Sequence, residues 1–185
     1  VLGQGAAFTA RAFGLDRVPA IKGQAIPAHD PRVIKTVGVT YATSPQGADH
    51  TAGAAIAGRV PDSDRDYGDL TENSHKLELS CELQVYTTVL DSMGCCYFIG
   101  PDVGTMKIVA GALNAMYDLR LTREDVINIG KKILKLEIEF NEKAGIHQRD
   151  NDLPSFLREE PVSPTNLTVT FARKDFQDFW KRLYE

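Results

Sequence analysis

The sequence predicts a mostly α-helical, irregular multihelical fold with at most a minor β element. Three observations carry this expectation. Between Leu77 and Leu90 apolar residues recur every three or four positions. The same spacing runs from Val126 to Phe140, behind a capping-box-like start at Thr122 and Asp125. Only one stretch, Asn166 to Phe171 with Leu-Thr-Val-Thr inside it, reads as a strand.

Taken in order, Ala6 to Phe13 is compatible with a short helix. The segment Val18 to Arg32 is irregular, and Pro27 and Pro31 around His29-Asp30 favour extended or turn backbone there. Residues 36–60 are rich in Gly, Ala, Ser and Thr, which let backbones approach one another or a flat ligand closely. Residues 62–73 are acidic and polar, the composition of a solvated loop. In the strong helix that follows, Leu77, Cys81, Val85 and Val89 share one face, while Leu79, Leu83, Tyr86 and Leu90 extend it. So wide an apolar arc belongs deep in the protein, and Gly94 is a usual stop. A second helix, Thr105 to Met116, turns Met106, Val109, Ala110 and Leu113 inward. The third, from Thr122, is expected to turn Val126, Ile129, Ile133, Leu136 and Phe140 inward. A last helix, Lys174 to Leu183, offers Phe176, Phe179, Trp180 and Leu183 for core packing.

Composition bounds the function. With 43% hydrophobic and 25% charged residues in 185, the chain can bury a core and is not of disordered composition. A formal charge of −4 marks no nucleic-acid face and no basic membrane patch. No apolar run approaches the roughly 18 residues of a membrane span, and no signal peptide opens the sequence. A start at Val1 inside structured sequence is expected of a fragment or an excised domain. Cys81, Cys95 and Cys96 are too few and too lopsided for a disulfide framework, so a reducing, cytoplasmic setting is expected.

Two segments could carry chemistry. The first is Asp91-Ser92-Met93-Gly94-Cys95-Cys96, where the long helix ends. A carboxylate there can accept two parallel N–H bonds from a planar, guanidine-like edge such as that of a pterin. Gly94 permits an open backbone, and the thiolate just beyond it is a soft ligand suited to an iron–sulfur cluster. The plainer alternative is a helix C-cap with buried, inert cysteines. The second segment is Tyr41-Ala42-Thr43-Ser44 through Gly47-Ala48-Asp49-His50. A histidine after a tight, hydroxyl-rich turn can serve as proton donor or acceptor. Its alternative is a helix N-terminus capped by Asp49 or Ser44, with His50 merely satisfied. His29, His75 and His147 lack zinc spacing, and Cys81 reads as core. No Walker loop, G-x-S-x-G or C-x-x-C is present, and Gly3 and Gly5 lack the rest of a dinucleotide fingerprint.

Together these segments resemble the C-terminal part of the aldehyde ferredoxin oxidoreductase family, tungsten- or molybdenum-pterin enzymes of anaerobes. Lys22-Gly23-Gln24-Ala25-Ile26-Pro27-Ala28-His29-Asp30-Pro31-Arg32 is similar to the family's K-G-x-E-x-P-A-Y-D-P-R stretch, departing at Ala25 and His29. Tyr41 to His50 is similar to its Y-A-T-S-x-x-G-A-x-H segment, and Asp91 to Cys96 to its D-x-x-G-L-C motif. Phe140-Asn141, Gly145, Asp150, Leu153-Pro154 and Glu160-Pro161 follow its tail, with Phe156 where an arginine is usual. The resemblance covers nearly the whole chain.

It implies that residues 1–35 end the second helical domain and that 36–185 form the third. Asp91, with Gly94 and Cys95 beside it, would hold the bis-pterin. Cys96 would be the fourth cysteine of a 4Fe–4S cluster. Cys95 stands where the family has an apolar residue, so either sulfur stays open as the ligand, with the motif spacing favouring Cys96. His50 would be the proton relay in oxidation of an aldehyde to a carboxylate, with electrons passing through the cluster to ferredoxin. The implied partners are ferredoxin, an aldehyde and the rest of the parent chain; a homodimer stays open, and neither nucleic acid nor membrane is expected. The family's other cluster cysteines and its N-terminal domain are absent here, so the fragment alone is expected to be inactive and cofactor-free. A class II benzoyl-CoA reductase subunit, or a hydroxycarboxylate or carboxylic-acid reductase, shares the scaffold. A non-catalytic helical electron-transfer module is the alternative of another class.

Overall fold

In the computed structural model, residues 1–53 and 69–183 are described. The first helix, α1 (Ala6–Phe13), ends where Gly14 takes a left-handed φ of 65°. The proline-containing segment then holds the only sheet among the described residues. Strands β1 (Ala20–Ile21) and β2 (Gln24–Ala25) pair antiparallel, Ala20 opposite Ala25 and Ile21 opposite Gln24. Lys22 and Gly23 turn the hairpin, both at positive φ (49° and 84°), the geometry that matches strand twist in a two-residue loop.

A helix not expected from the sequence follows. All nine residues of α2 (Lys35–Thr43) are buried. A helix enclosed on every side has no polar face to mark its period. Its side chains are mostly small or hydroxyl-bearing, and they make a polar seam with α3 (Lys76–Ser92). Thr40 Oγ1 and Ser80 Oγ lie 2.8 Å apart, and Gln84 Nε2 donates to Thr43 Oγ1 at 3.0 Å. As expected, α3 is buried on most of its surface, Cys81 included. The expected acidic loop lies, over residues 62–68, outside the described residues; Asp69 and Thr71 form a turn.

Helix α4 (Val103–Tyr117) buries Met106, Val109 and Ala110, and Asp102 caps it by accepting from the Thr105 amide at 2.7 Å. Helix α5 (Arg123–Lys143) opens with the expected Thr122–Asp125 capping box. Its inner face differs from expectation. Val126, Gly130 and Leu134 are buried, whereas Ile129, Leu136 and Phe140 are 39%, 64% and 71% exposed. The close approach to α3 decides the rotation. A Cβ on Gly130 would lie 2.7 Å from Val89 Cγ2 and 2.8 Å from the Val85 carbonyl oxygen, so only glycine lets the two backbones meet there. Gly130→Ala is accordingly expected to destabilise the chain by about 1–3 kcal/mol through overpacking, seen as a lower thermal midpoint. An unchanged midpoint would show that the helices do not meet at this residue.

Short α6 (Phe156–Glu159) and α7 (Arg173–Gln177) lead to a 3₁₀ segment, Phe179–Leu183. Phe176, Phe179, Trp180 and Leu183 are all buried in the main core with residues of α2, α3 and α5, as core packing requires. The expected strand at Asn166–Phe171 makes only one bridge, Val162 to Leu167. Val169 and Phe171 are buried in the core, so the alternation reports burial without strand pairing. A second apolar cluster joins Val89 and Leu90 of α3 to Met106, Val109 and Ala110 of α4 and Val126 of α5.

Candidate functional site

The end of α3 is built by backbone geometry. Gly94, at φ 67°, donates to the Asp91 carbonyl at 3.0 Å, and the Cys95 amide donates to the Leu90 carbonyl at 2.9 Å. This pair of bonds is the Schellman closure, which sets the residue after the glycine against the helix's last turns. That residue is Cys95, and it packs on the Leu90–Met106 cluster. Cys96 follows, exposed, as the N-cap of the 3₁₀ turn Tyr97–Ile99. The two adjacent thiols therefore differ in setting, one fastened to the core and one facing out. Cys81, buried in α3, has its thiol pushed up to about 11 by burial.

Asp91 lies in the last turn of α3 with an exposed side chain, and among the described residues no group donates a hydrogen bond to its carboxylate. Partial desolvation, and then the Asp49 carboxylate, hold its carboxyl above the ordinary value. A Cβ on Gly94 would meet nothing within 4 Å, so the space beside the helix end is open.

Asp49 belongs to the second candidate segment. It accepts from the Thr51 amide and hydroxyl, both at 2.8 Å, and so caps the 3₁₀ turn His50–Ala52. His50 Nδ1 is buried with no hydrogen-bond partner among the described residues and lies 3.9 Å from Asp49 Oδ1, on a side chain 35% exposed. The His50 ring also sits 4.9 Å from the His29 ring, tilted by 49°. The sequence gives His29 no partner at zinc spacing, and a ring contact across 21 residues leaves no local pattern. Gly53 closes the segment against α3, since its Cβ would come 2.6 Å from the Gln84 amide nitrogen. Burial raises the Tyr97 phenol, and the Asp49 carboxylate adds to that, as it does at Asp91. The two segments singled out in the sequence thus both lie on α3, Gly53 against Gln84 and Asp91 in its last turn.

The remaining landmark residues serve the frame. Asp30 takes a two-pronged ion pair from Arg32, which also donates to the Glu160 carbonyl at 2.8 Å. Phe156 is buried, with the Arg17 guanidinium 4.3 Å from its ring centre. No group of three or more His, Cys, Asp or Glu that could hold a metal ion occurs among the described residues. Nor is any described helix long and apolar enough to cross a membrane.

Comparison with known proteins decides the relationship. The family model described as aldehyde ferredoxin oxidoreductase, domains 2 & 3, matches residues 1–185. The chain belongs to the aldehyde ferredoxin oxidoreductase family. Among its relatives is the tungsten-containing aldehyde ferredoxin oxidoreductase of Pyrococcus furiosus, 31% identical over 143 residues, 77% of this chain and 24% of that protein. The protein of the same description from Pyrococcus horikoshii is 29% identical over 164 residues, 88% of this chain and 27% of that one. That of Thermococcus kodakarensis is 28% identical over 144 residues, covering 77% and 24%. The chain therefore spans about a quarter of the length of these relatives. Within the family region the mostly helical fold expected from the sequence is the fold observed.

Proposed function

We propose that this chain is the cofactor-clasping C-terminal part of a tungsten (or molybdenum) enzyme that oxidises aldehydes to carboxylates and passes the electrons through a 4Fe–4S cluster to ferredoxin. Residues 1–35 would complete its second domain and 36–185 form its third. The observation that carries the reading is the α3 terminus. It presents an accessible carboxylate to which no described residue donates, open space beside Gly94, and an exposed thiol at Cys96.

These groups fit the cofactors in kind. The Asp91 carboxylate can accept the paired N–H donors of a pterin edge. Gly94 leaves room for the flat ring, and the Schellman closure holds Cys95 beside it. Cys96 offers one soft ligand, and the parent chain would supply the others. The bound metal–pterin would supply the two-electron oxidation of the aldehyde.

This chain's own contribution to that reaction is proton handling at His50. Its buried Nδ1 faces Asp49 Oδ1 at 3.9 Å, which leaves Nε2 as the atom to take up or release the proton. The test is the intact parent enzyme, purified without oxygen and assayed for aldehyde-dependent reduction of ferredoxin, with tungsten, molybdenum and iron counted. Turnover of aldehydes with metal and iron present is expected. Metal and iron with turnover only of an aromatic thioester would favour the benzoyl-CoA reductase alternative, and an enzyme without metal would overturn the reading.

A further inference from the structure

His50 is held by few bonds of its own: among the described residues Nδ1 has no hydrogen-bond partner, and a third of the side chain is exposed. Its position must come from the backbone that leads to it. That backbone is the turn between the end of α2 and Asp49, and its carbonyl groups are bonded in an unusual way. The Thr43 carbonyl accepts from Trp180 Nε1 at 3.0 Å. The Ser44 carbonyl accepts from Lys22 Nζ at 2.8 Å, that of Pro45 from Asn141 Nδ2 at 2.9 Å, and that of Ala48 from Gln24 Nε2 at 3.3 Å. A helix end leaves carbonyls that need partners, and water or a local cap usually suffices. Here four carbonyls are met by side chains from the hairpin, from α5 and from the C-terminal 3₁₀ segment.

Lys22 is the costliest of the four donors. It borders a cavity of about 20 Å³, lined also by Thr43, Pro45, Asn141, His147 and Trp180, and burial lowers its ammonium to about 8 against the opposing pull of Asp150. An apolar side chain would fill that space without the desolvation cost of a charge. What an apolar side chain cannot do is donate to the Ser44 carbonyl. The hairpin grips the same turn by shape, since a Cβ on Gly47 would lie 3.1 Å from the Ile21 carbonyl oxygen.

We propose that Lys22, Gln24, Asn141 and Trp180 form a four-point clamp on the 43–48 turn, and that Lys22 is the positioning residue through which the hairpin sets the place of His50. The inference rests on the reading of His50 as the proton-handling group, but its test does not use turnover, so either can fail alone.

The test uses the intact parent enzyme, with the histidine ring signals of this region assigned by nuclear magnetic resonance and amide hydrogen exchange read along its backbone. Lys22→Met and Trp180→Phe each remove one donor and keep most of the volume. Each is expected to move the His50 ring signal, leave that of His75 in place, and speed exchange across residues 47–53 by about tenfold or more while α4 keeps its rates. Lys22→Arg, which keeps a donor, is expected to return the His50 signal toward its original position. Should Lys22→Met fail to fold, Trp180→Phe and Gln24→Ala decide the matter by the same readouts. Faster exchange spread evenly over the chain, an unmoved His50 signal, or no difference between Lys22→Arg and Lys22→Met would overturn the clamp.

Discussion

Cys96→Ser in the parent enzyme should strip the iron–sulfur cluster, while Cys95→Val should leave it in place. The contrast follows from the two thiols' settings at the end of α3. Cys95 is the residue that the Schellman closure turns onto Leu90 and Met106, so valine there keeps the packing and loses no ligand. Cys96 is exposed beyond that closure and is the sulfur available to a metal from outside. A serine hydroxyl is a poor substitute for a soft thiolate. Loss of a supporting residue around a metal costs about 10–100-fold in affinity, and loss of a ligand should cost at least roughly the upper figure. Iron counting and the low-temperature electron paramagnetic spectrum check this directly. If Cys95→Val lost the cluster and Cys96→Ser kept it, the assignment of the two sulfurs would be reversed.

How much of this was legible in the sequence depends on whether a residue's role was local. The burial of α3, the capping box of α5 and the stop at Gly94 all rest on neighbours within a few positions, and the structure has them as expected. The inner face of α5 was misread because Leu136 and Phe140 fit a helical period as well as Leu134 does. Only the contact of Gly130 with Val85 and Val89 chooses between the faces. Helix α2 carried no signal because its threonines and small residues are enclosed on every side, where polarity does not alternate. The hairpin has two residues in each strand, too few for alternation to mark it in the sequence.

The candidate site shows the same division. Asp91, Gly94 and Cys96 lie within six consecutive residues and could be found as a motif. The distinction between Cys95 and Cys96 could have been drawn from the same stretch, since a glycine ending a helix places the next residue against the helix. The contact of His29 with His50 and the four donors to the 43–48 turn could not, because each joins segments far apart in the chain.

In the proposed function the Asp91 carboxylate anchors the pterin. A carboxylate accepting two charge-assisted hydrogen bonds contributes roughly 3–6 kcal/mol in all, so its removal should weaken cofactor retention by about a hundredfold or more. The helix end itself should survive, because Asp91 contributes only its backbone carbonyl to the closure at Gly94. The decisive measurement is the pterin and tungsten content of the purified parent enzyme carrying Asp91→Ala, set beside its circular dichroism. A folded enzyme that has lost most of its pterin and metal is the predicted result; a folded enzyme with its full complement of both would contradict it.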